Sequence, residues 1–376
     1  MQNIDIKFIL SRLLLIFGSL VFTMVLLEIG LRLFLPQLII WDASTAWEPA
    51  DGVGWQKKPN LDIMVNTGEG DVRLITDTHG HRVGENPPDT TGINILAVGD
   101  SFLEALQVDY DQTMTALIEQ KLSDELDSSV NVVNTGVGAW GPNNYRVKTQ
   151  QELARTDYDL VLLFLYLKND LTSESIESFP PTTGLTPPSL TFDQSFAENL
   201  NALRILIYAK LEQHSHLYRF FENSIALLNA RAGAANDFLP KEILLSEADS
   251  PNWEITTNIL ADIDRLAVEA DTPMLVVLLP PVYYLDDEEL NTLVQALNLQ
   301  PNEVYWQQPS QIFATKFEEV DIAYVDVTPT MRAAYADGNT ELYGRIDRHF
   351  SPAGHQVVAN YLTPIILEKL ETSTME

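Results

Sequence analysis

"ILAVGDSFLEALQV", Ile95 to Val108, is the stretch on which the reading of this chain turns. An apolar run stops at Gly99, a carboxylate and a hydroxyl follow, and a helical pattern begins. Two readings fit those residues. Ser101 is a helix N-cap in ordinary turn chemistry, or it is a nucleophile displayed at the end of a buried strand. The choice rests on whether the rest of the chain supplies a base, an orienting carboxylate and donors for an oxyanion.

Outward from Ile95, apolar runs alternate with helical stretches. The pattern predicts strands at Ile93–Val98, Ser129–Asn134, Asp159–Leu167, Pro273–Pro280 and Ile322–Val327. Most are continuously apolar, as strands buried on both faces are. Amphipathic helices are expected at Thr113–Leu126, Tyr145–Arg155, Ile255–Ala270, Pro309–Val320 and Pro352–Glu371. Such alternation implies an α/β domain, a parallel sheet with helices on both faces. The stretch from about Thr172 to Ser250 holds no strand pattern; two proline pairs precede a strongly helical run. It reads as an insertion, a helical hairpin over one edge of the sheet that serves as a lid or acceptor-site wall.

Ahead of the domain, residues 36–92 form a polar lead-in with a strand pair around "LDIMVNT" and "DVRLITDT". Residues 1–35 contain "FILSRLLLIFGSLVFTMVLLEIGLRLFL", Phe8 to Leu35, broken by Arg12, Glu28 and Arg32. Arg12 and Arg32 can snorkel to lengthen a short uncharged centre. Lys7 and Arg12 precede the span and acidic residues follow it. The expectation is a single-pass signal anchor with the body on the periplasmic or extracellular side. The domain with its insertion then occupies 93–376.

Composition removes several classes. The 376 residues carry 53 acidic and 23 basic side chains, a net charge of −30, which repels nucleic acid. There is no cysteine, so thiol catalysis, disulfides and zinc–thiolate sites are out.

In an open parallel sheet, ligands bind beyond the carboxyl ends of the strands. The first strand ends in Gly99-Asp100-Ser101, the second in the glycine-rich "NTGVGAWGPNN", Asn134 to Asn144. The third ends in Asn169-Asp170. The fifth leads to "GRIDRHFSPAGH", with Asp347, His349 and His355 before the last helix. A hydroxyl, a backbone-donor loop, an amide and an acid–imidazole pair thus fall on one rim.

With these residues the chain resembles the SGNH hydrolases, the GDSL-type esterases and lipases, over about Ile93 to Leu367. "VGDSF" matches the block carrying the nucleophile, "LYLKNDL" the block carrying the asparagine, and "DRHFSPAGH" the block carrying the acid and base. The resemblance implies a three-layer sandwich with a flavodoxin-like parallel sheet and no cofactor. It implies Ser101 as nucleophile, His349 as base and Asp347 as its orienter. Its oxyanion hole would be Ser101 and Asn169 with a third donor at Ala139, the neighbouring Gly138 remaining an alternative. An Asp-x-His segment, if extended, puts both side chains on one side.

Trp140, Tyr145, Tyr283 and Tyr284 form a possible wall against which sugars stack. His355 reads as a capping or packing residue, His79, His81, His214 and His216 as solvated, and no metal site is expected. The expected reaction is removal of an O-acyl group, with acetyl as the expected acyl, from an envelope or extracellular glycan through an acyl-Ser101 intermediate. An O-acyltransferase with the same residues, or a catalytically silent glycan-binding protein, remain the alternatives.

Overall fold

The structure is a computed structural model that describes residues 6–37, 43–86, 91–171, 196–231, 251–296, 299–300, 304–305 and 307–373. It divides into two compact units, Met1–Trp41 with Pro188–Leu228, and Asp42–Pro187 with Asn229–Glu376.

In the larger unit the predicted strands form where expected: β6 (Ile93–Val98), β7 (Val130–Asn134), β8 (Leu160–Tyr166), β9 (Met274–Leu279) and β10 (Tyr324–Asp326). All seven residues of β8 and all six of β9 are buried, which explains their unbroken apolar sequences. These five strands are parallel, in the order β10-β9-β8-β6-β7. Helices α4 (Met114–Leu126) and α12 (Pro352–Ser373) pack together as one group, and α5 (Pro142–Leu153), α8 (Pro251–Glu269) and α10 (Gln308–Glu319) as another. The chain leaves β6 for β7 on one side, then returns past it to β8 on the other. That reversal makes the carboxyl end of β6 the topological switch point of the sheet.

The lead-in is built into the same unit. The expected pair, β3 (Asp62–Asn66) and β4 (Asp71–Thr76), is antiparallel, and the short β5 (Arg82–Val83) joins it to β7 through Arg82 opposite Asn134. The result is a mixed eight-stranded sheet. A separate hairpin, β1 (Trp47–Ala50) with β2 (Gly54–Lys57), precedes it. The pairing between β5 and β7 was not legible because it joins only one residue on each side.

The smaller unit holds α1 (Ile6–Phe34) and two helices of the insertion, α6 (Phe196–His214) and α7 (His216–Arg231). Arg12–Phe34 is long and apolar enough to cross a membrane, as an anchor or a signal sequence would be. The flanks of the expected insertion, 172–195 and 232–250, lie outside the described residues. Two helices of the expected insertion are thus described, in the unit that holds α1.

Candidate active site

Ser101 opens α3 (Ser101–Glu104), a single turn at the switch point. Asp100 caps it, its Oδ1 accepting the Phe102 N–H at 2.9 Å. The turn closes on Ala105, which has φ +55°. Its carbonyls are held by a buried cation from the lead-in: Arg82 donates to Glu104 O, Ala105 O and Val108 O. Burial pushes the Arg82 guanidinium down to about 10, so the group stays charged at neutral pH.

Across the rim, His349 Nε2 lies 2.7 Å from Ser101 Oγ. The imidazole packs against Phe102, ring centres 4.7 Å apart, and Phe102 also touches Tyr166 and Phe350. Asp347 Oδ2 stands 3.5 Å from His349 Nδ1, an ion-pair distance longer than a hydrogen bond. The segment between them is not extended. Arg348 has φ +63°, and Asp347 Oδ1 accepts the His349 N–H at 3.1 Å, so a tight turn sets the carboxylate behind the imidazole. Burial pushes the Asp347 carboxyl up, but the hydrogen bond and charge of His349 outweigh it and hold the group below its ordinary value. The loop is gripped from the lead-in: Glu69, in the β3–β4 turn, accepts the N–H groups of Ile346 and Asp347.

The glycine-rich loop presses against α3, the helix that Ser101 opens. A Cβ on Gly136 would stand 2.5 Å from the Glu104 nitrogen, so only glycine fits there. From Thr135 to Gly141, each backbone N–H except that of Ala139 has a protein acceptor. Thr135 donates to Ala97 O, Gly136 to Asn134 Oδ1, and Val137 to Gly99 O. Gly138 donates to Glu104 Oε2, Trp140 to Val137 O, and Gly141 to Asn144 Oδ1. Ala139 alone in this loop has an N–H that no protein group accepts; it is exposed and held at φ +62°. The neighbouring Gly138 N–H, by contrast, is committed to Glu104.

Asn169 follows β8, and its Nδ2 donates to Asp100 Oδ2 at 3.1 Å, which ties the amide to the cap of α3. Asp100 and Asp170 are both buried, and burial raises both carboxyl pKa values.

The expected aromatic wall is absent. Trp140, Tyr145, Tyr283 and Tyr284 are all at least 94% buried and present no open ring face. Trp140 Nε1 donates to Trp55 O at 3.0 Å. The Tyr145 hydroxyl donates to Asp170, beside Asn169, so this ring is floor and not wall. They turned inward because each loop folds back on the core, where a large ring buries more apolar surface than at a rim. His355 is likewise buried, accepts the Met114 N–H at 3.3 Å, and is pushed down by burial to about 3. It does not meet Ser101.

His81 was read as solvated and is buried, with Asp77 Oδ2 at 3.1 Å on one ring nitrogen and Glu152 Oε1 at 3.0 Å on the other. His216 is half-buried, its Nδ1 accepting the Gln37 N–H. Among the described residues no group of three metal-ligating side chains gathers.

No protein-family model matches the chain, and no curated protein does either. Solved structures do. A lipolytic protein of the G-D-S-L family from Veillonella parvula is 11% identical over 73% of this chain and 97% of its own, with a TM-score of 0.39. An acetyl xylan esterase is 11% identical over 73% and 100%, TM-score 0.40. Another, from Geobacillus stearothermophilus, is 11% identical over 74% and 95%, TM-score 0.38. At such identity the likeness concerns the course of the chain alone.

Proposed function

We propose that this chain is a serine esterase of the SGNH type, held to a membrane by α1 with its catalytic unit on the periplasmic or extracellular side. The observation that carries the reading is the 2.7 Å contact between Ser101 Oγ and His349 Nε2 at the switch point of the sheet. Serine is a weak nucleophile until a base takes its proton, and this is the geometry that transfer requires.

Ser101 Oγ attacks the ester carbonyl carbon as its proton passes to His349 Nε2. Asp347 supports the imidazolium that forms. The tetrahedral oxyanion is received by the N–H groups of Ser101 and Ala139 and the Asn169 amide, each donor worth about 3 kcal/mol in the transition state. Collapse breaks the ester C–O bond, and His349 returns the proton to the departing alcohol. Water, deprotonated by the same nitrogen, then attacks the acyl carbon; the bond to Ser101 Oγ breaks, His349 returns the proton to that oxygen, and the acid leaves. The substrate class that the resemblance and the anchored location support is an O-acetylated envelope or extracellular glycan. With the aromatic wall gone, nothing in the site favours a sugar acceptor over water.

The test is labelling with a fluorophosphonate probe, alongside acetate release from O-acetylated glycans. The wild-type chain should label and Ser101→Ala should not. Equal labelling of both, or acetate release by the alanine variant, would end the proposal.

A further inference from the structure

Outside α1 and the Leu35 that follows it, thirteen large hydrophobic side chains are exposed among the described residues, and eight of them lie on α6 and α7. The other five are scattered over the larger unit. A water-facing helical pair does not concentrate apolar surface in this way. On α6, Leu200, Leu203, Ile207 and Leu211 recur at helical spacing and share one face. Arg204 and Tyr208 border it, as side chains with an apolar body and a polar end do at a lipid boundary. On α7, Phe221 and Ile225 stand one turn apart.

The hairpin is fixed to α1 at its turn. The Glu28 carboxylate accepts the N–H groups of His216 at 3.0 Å and Leu217 at 2.8 Å, and the Ser215 hydroxyl at 3.0 Å. It thereby satisfies the orphan donors at the start of α7. Arg32 pairs with Glu28 and donates to the carbonyl of His214, the last residue of α6. The two charges that interrupt the second half of the apolar helix are thus spent on one turn of the insertion. Glu28 ends the uncharged run Leu13–Leu27, which is about 22 Å long at the rise of an α-helix. If α1 spans the bilayer, that run falls short of a hydrocarbon core of about 30 Å, so the clamp lies within one or two helical turns of the lipid boundary.

We infer that the α6–α7 hairpin is a second membrane contact, an interfacial element clamped to α1 by Glu28 and Arg32 that lays its apolar face into the lipid boundary. This inference rests on the anchoring proposed above. Interfacial helices bind by burying such a face at the boundary between headgroups and acyl chains.

The chain has no cysteine, so single-cysteine variants of the full protein take one label each. Leu20→Cys reports the anchor, Ile207→Cys the hairpin face, and Asp262→Cys, exposed on α8, the body. Each is labelled with an environment-sensitive fluorophore and reconstituted in phosphatidylcholine–phosphatidylglycerol vesicles containing a lipid-borne quencher. Quenching at positions 20 and 207 several-fold above that at 262 is expected. Adding Glu28→Ala should lower quenching at 207 and leave it intact at 20. Quenching at 20 with 207 no different from 262 overturns the hairpin contact while sparing the anchor. No quenching at 20 overturns the anchor, and the contact with it. Protection of 207 from aqueous iodide without lipid quenching, dependent on protein density, means a second copy covers the face and also overturns the proposal.

Discussion

The Glu104 carboxylate and the Gly138 N–H meet at 2.8 Å, a contact that joins the nucleophile's own helix to the loop carrying the Ala139 N–H. The other oxygen of Glu104 accepts Trp47 Nε1 at 2.8 Å, and Lys57, fully buried, donates to Gly136 O. Burial and the neighbouring cations push the Lys57 ammonium down to about 8 against the pull of Glu104. Trp47 and Lys57 come from the β1–β2 hairpin, so the lead-in braces the loop from behind. Glu104 would act as a positioning residue, through that loop and through the helical turn it shares with Ser101.

Glu104→Gln keeps the shape but turns one acceptor into a donor facing another donor, and strips Lys57 of its counter-charge. The expected result is a fall in kcat of about 10- to 100-fold, the scale of a small misplacement in an active site. KM for a small acetyl ester should change little. Steady-state kinetics with a melting curve checks this. A variant that melts lower and turns over at the wild-type rate would make Glu104 merely structural.

The two histidines before and inside α12 separate in the same assay. His349→Ala should lower turnover by three to four orders of magnitude and abolish probe labelling, with Asp347→Asn nearly as damaging. His355→Gln should lower the melting temperature through the lost Met114 acceptor and leave kcat close to wild type. A dead His355 variant beside an active His349 variant would reverse the assignment.

Much of this site was legible because a parallel sheet collects the ends of its strands on one rim. Ser101, Asn134–Asn144 and Asn169 needed only the strand pattern to be gathered there. The supports were not legible. Arg82, Glu104, Lys57 and Glu69 act on partners 22 to 278 positions away, and no local periodicity records such a pair. One signal was present: a lone glutamate in "SFLEALQV", among apolar neighbours, is the mark of a buried charge with a distant partner. The aromatic wall failed for the opposite reason. A place at the rim suggested exposure for Trp140 in the loop and for Tyr145 in the first turn of the helix after it, and the core took both rings.

Acid should weaken the joint between the lead-in and α5. Asp77 faces His81 at 3.1 Å; burial pushes its carboxyl up, but the hydrogen bonds and charge of His81 prevail and bring it down to about 2. A carboxyl that ionises at about 2 when folded and near 4 when unfolded stabilises fully above pH 4 to 5. That contribution, about 2 kcal/mol, is lost as pH falls through 2. Urea midpoints of the larger unit for wild type and Asp77→Asn should differ most near pH 5 and converge as the pH falls through 2. A gap that does not narrow with acid would remove Asp77 from the account.

Neighbouring positions in the second loop should respond in opposite directions. Ala139 sits at φ +62°, where a Cβ costs roughly 1 kcal/mol that glycine does not. Ala139→Gly keeps the backbone N–H, so it should hold kcat within about twofold and raise the melting temperature by roughly 2 to 4 °C, the shift that about 1 kcal/mol produces in a domain of this size. Gly138→Ala meets the opposite situation. A Cβ there would stand 2.9 Å from the Trp47 ring and 3.0 Å from Glu104 Oε2, in the brace itself. The loop must shift to admit it, and the Ala139 N–H moves with the loop. Turnover should fall about tenfold or more, with fluorophosphonate labelling slowed in proportion, because both reactions build charge on the same oxygen. If Gly138→Ala turned over at the wild-type rate, or Ala139→Gly lost activity without losing stability, the donor of this loop would have to be sought elsewhere.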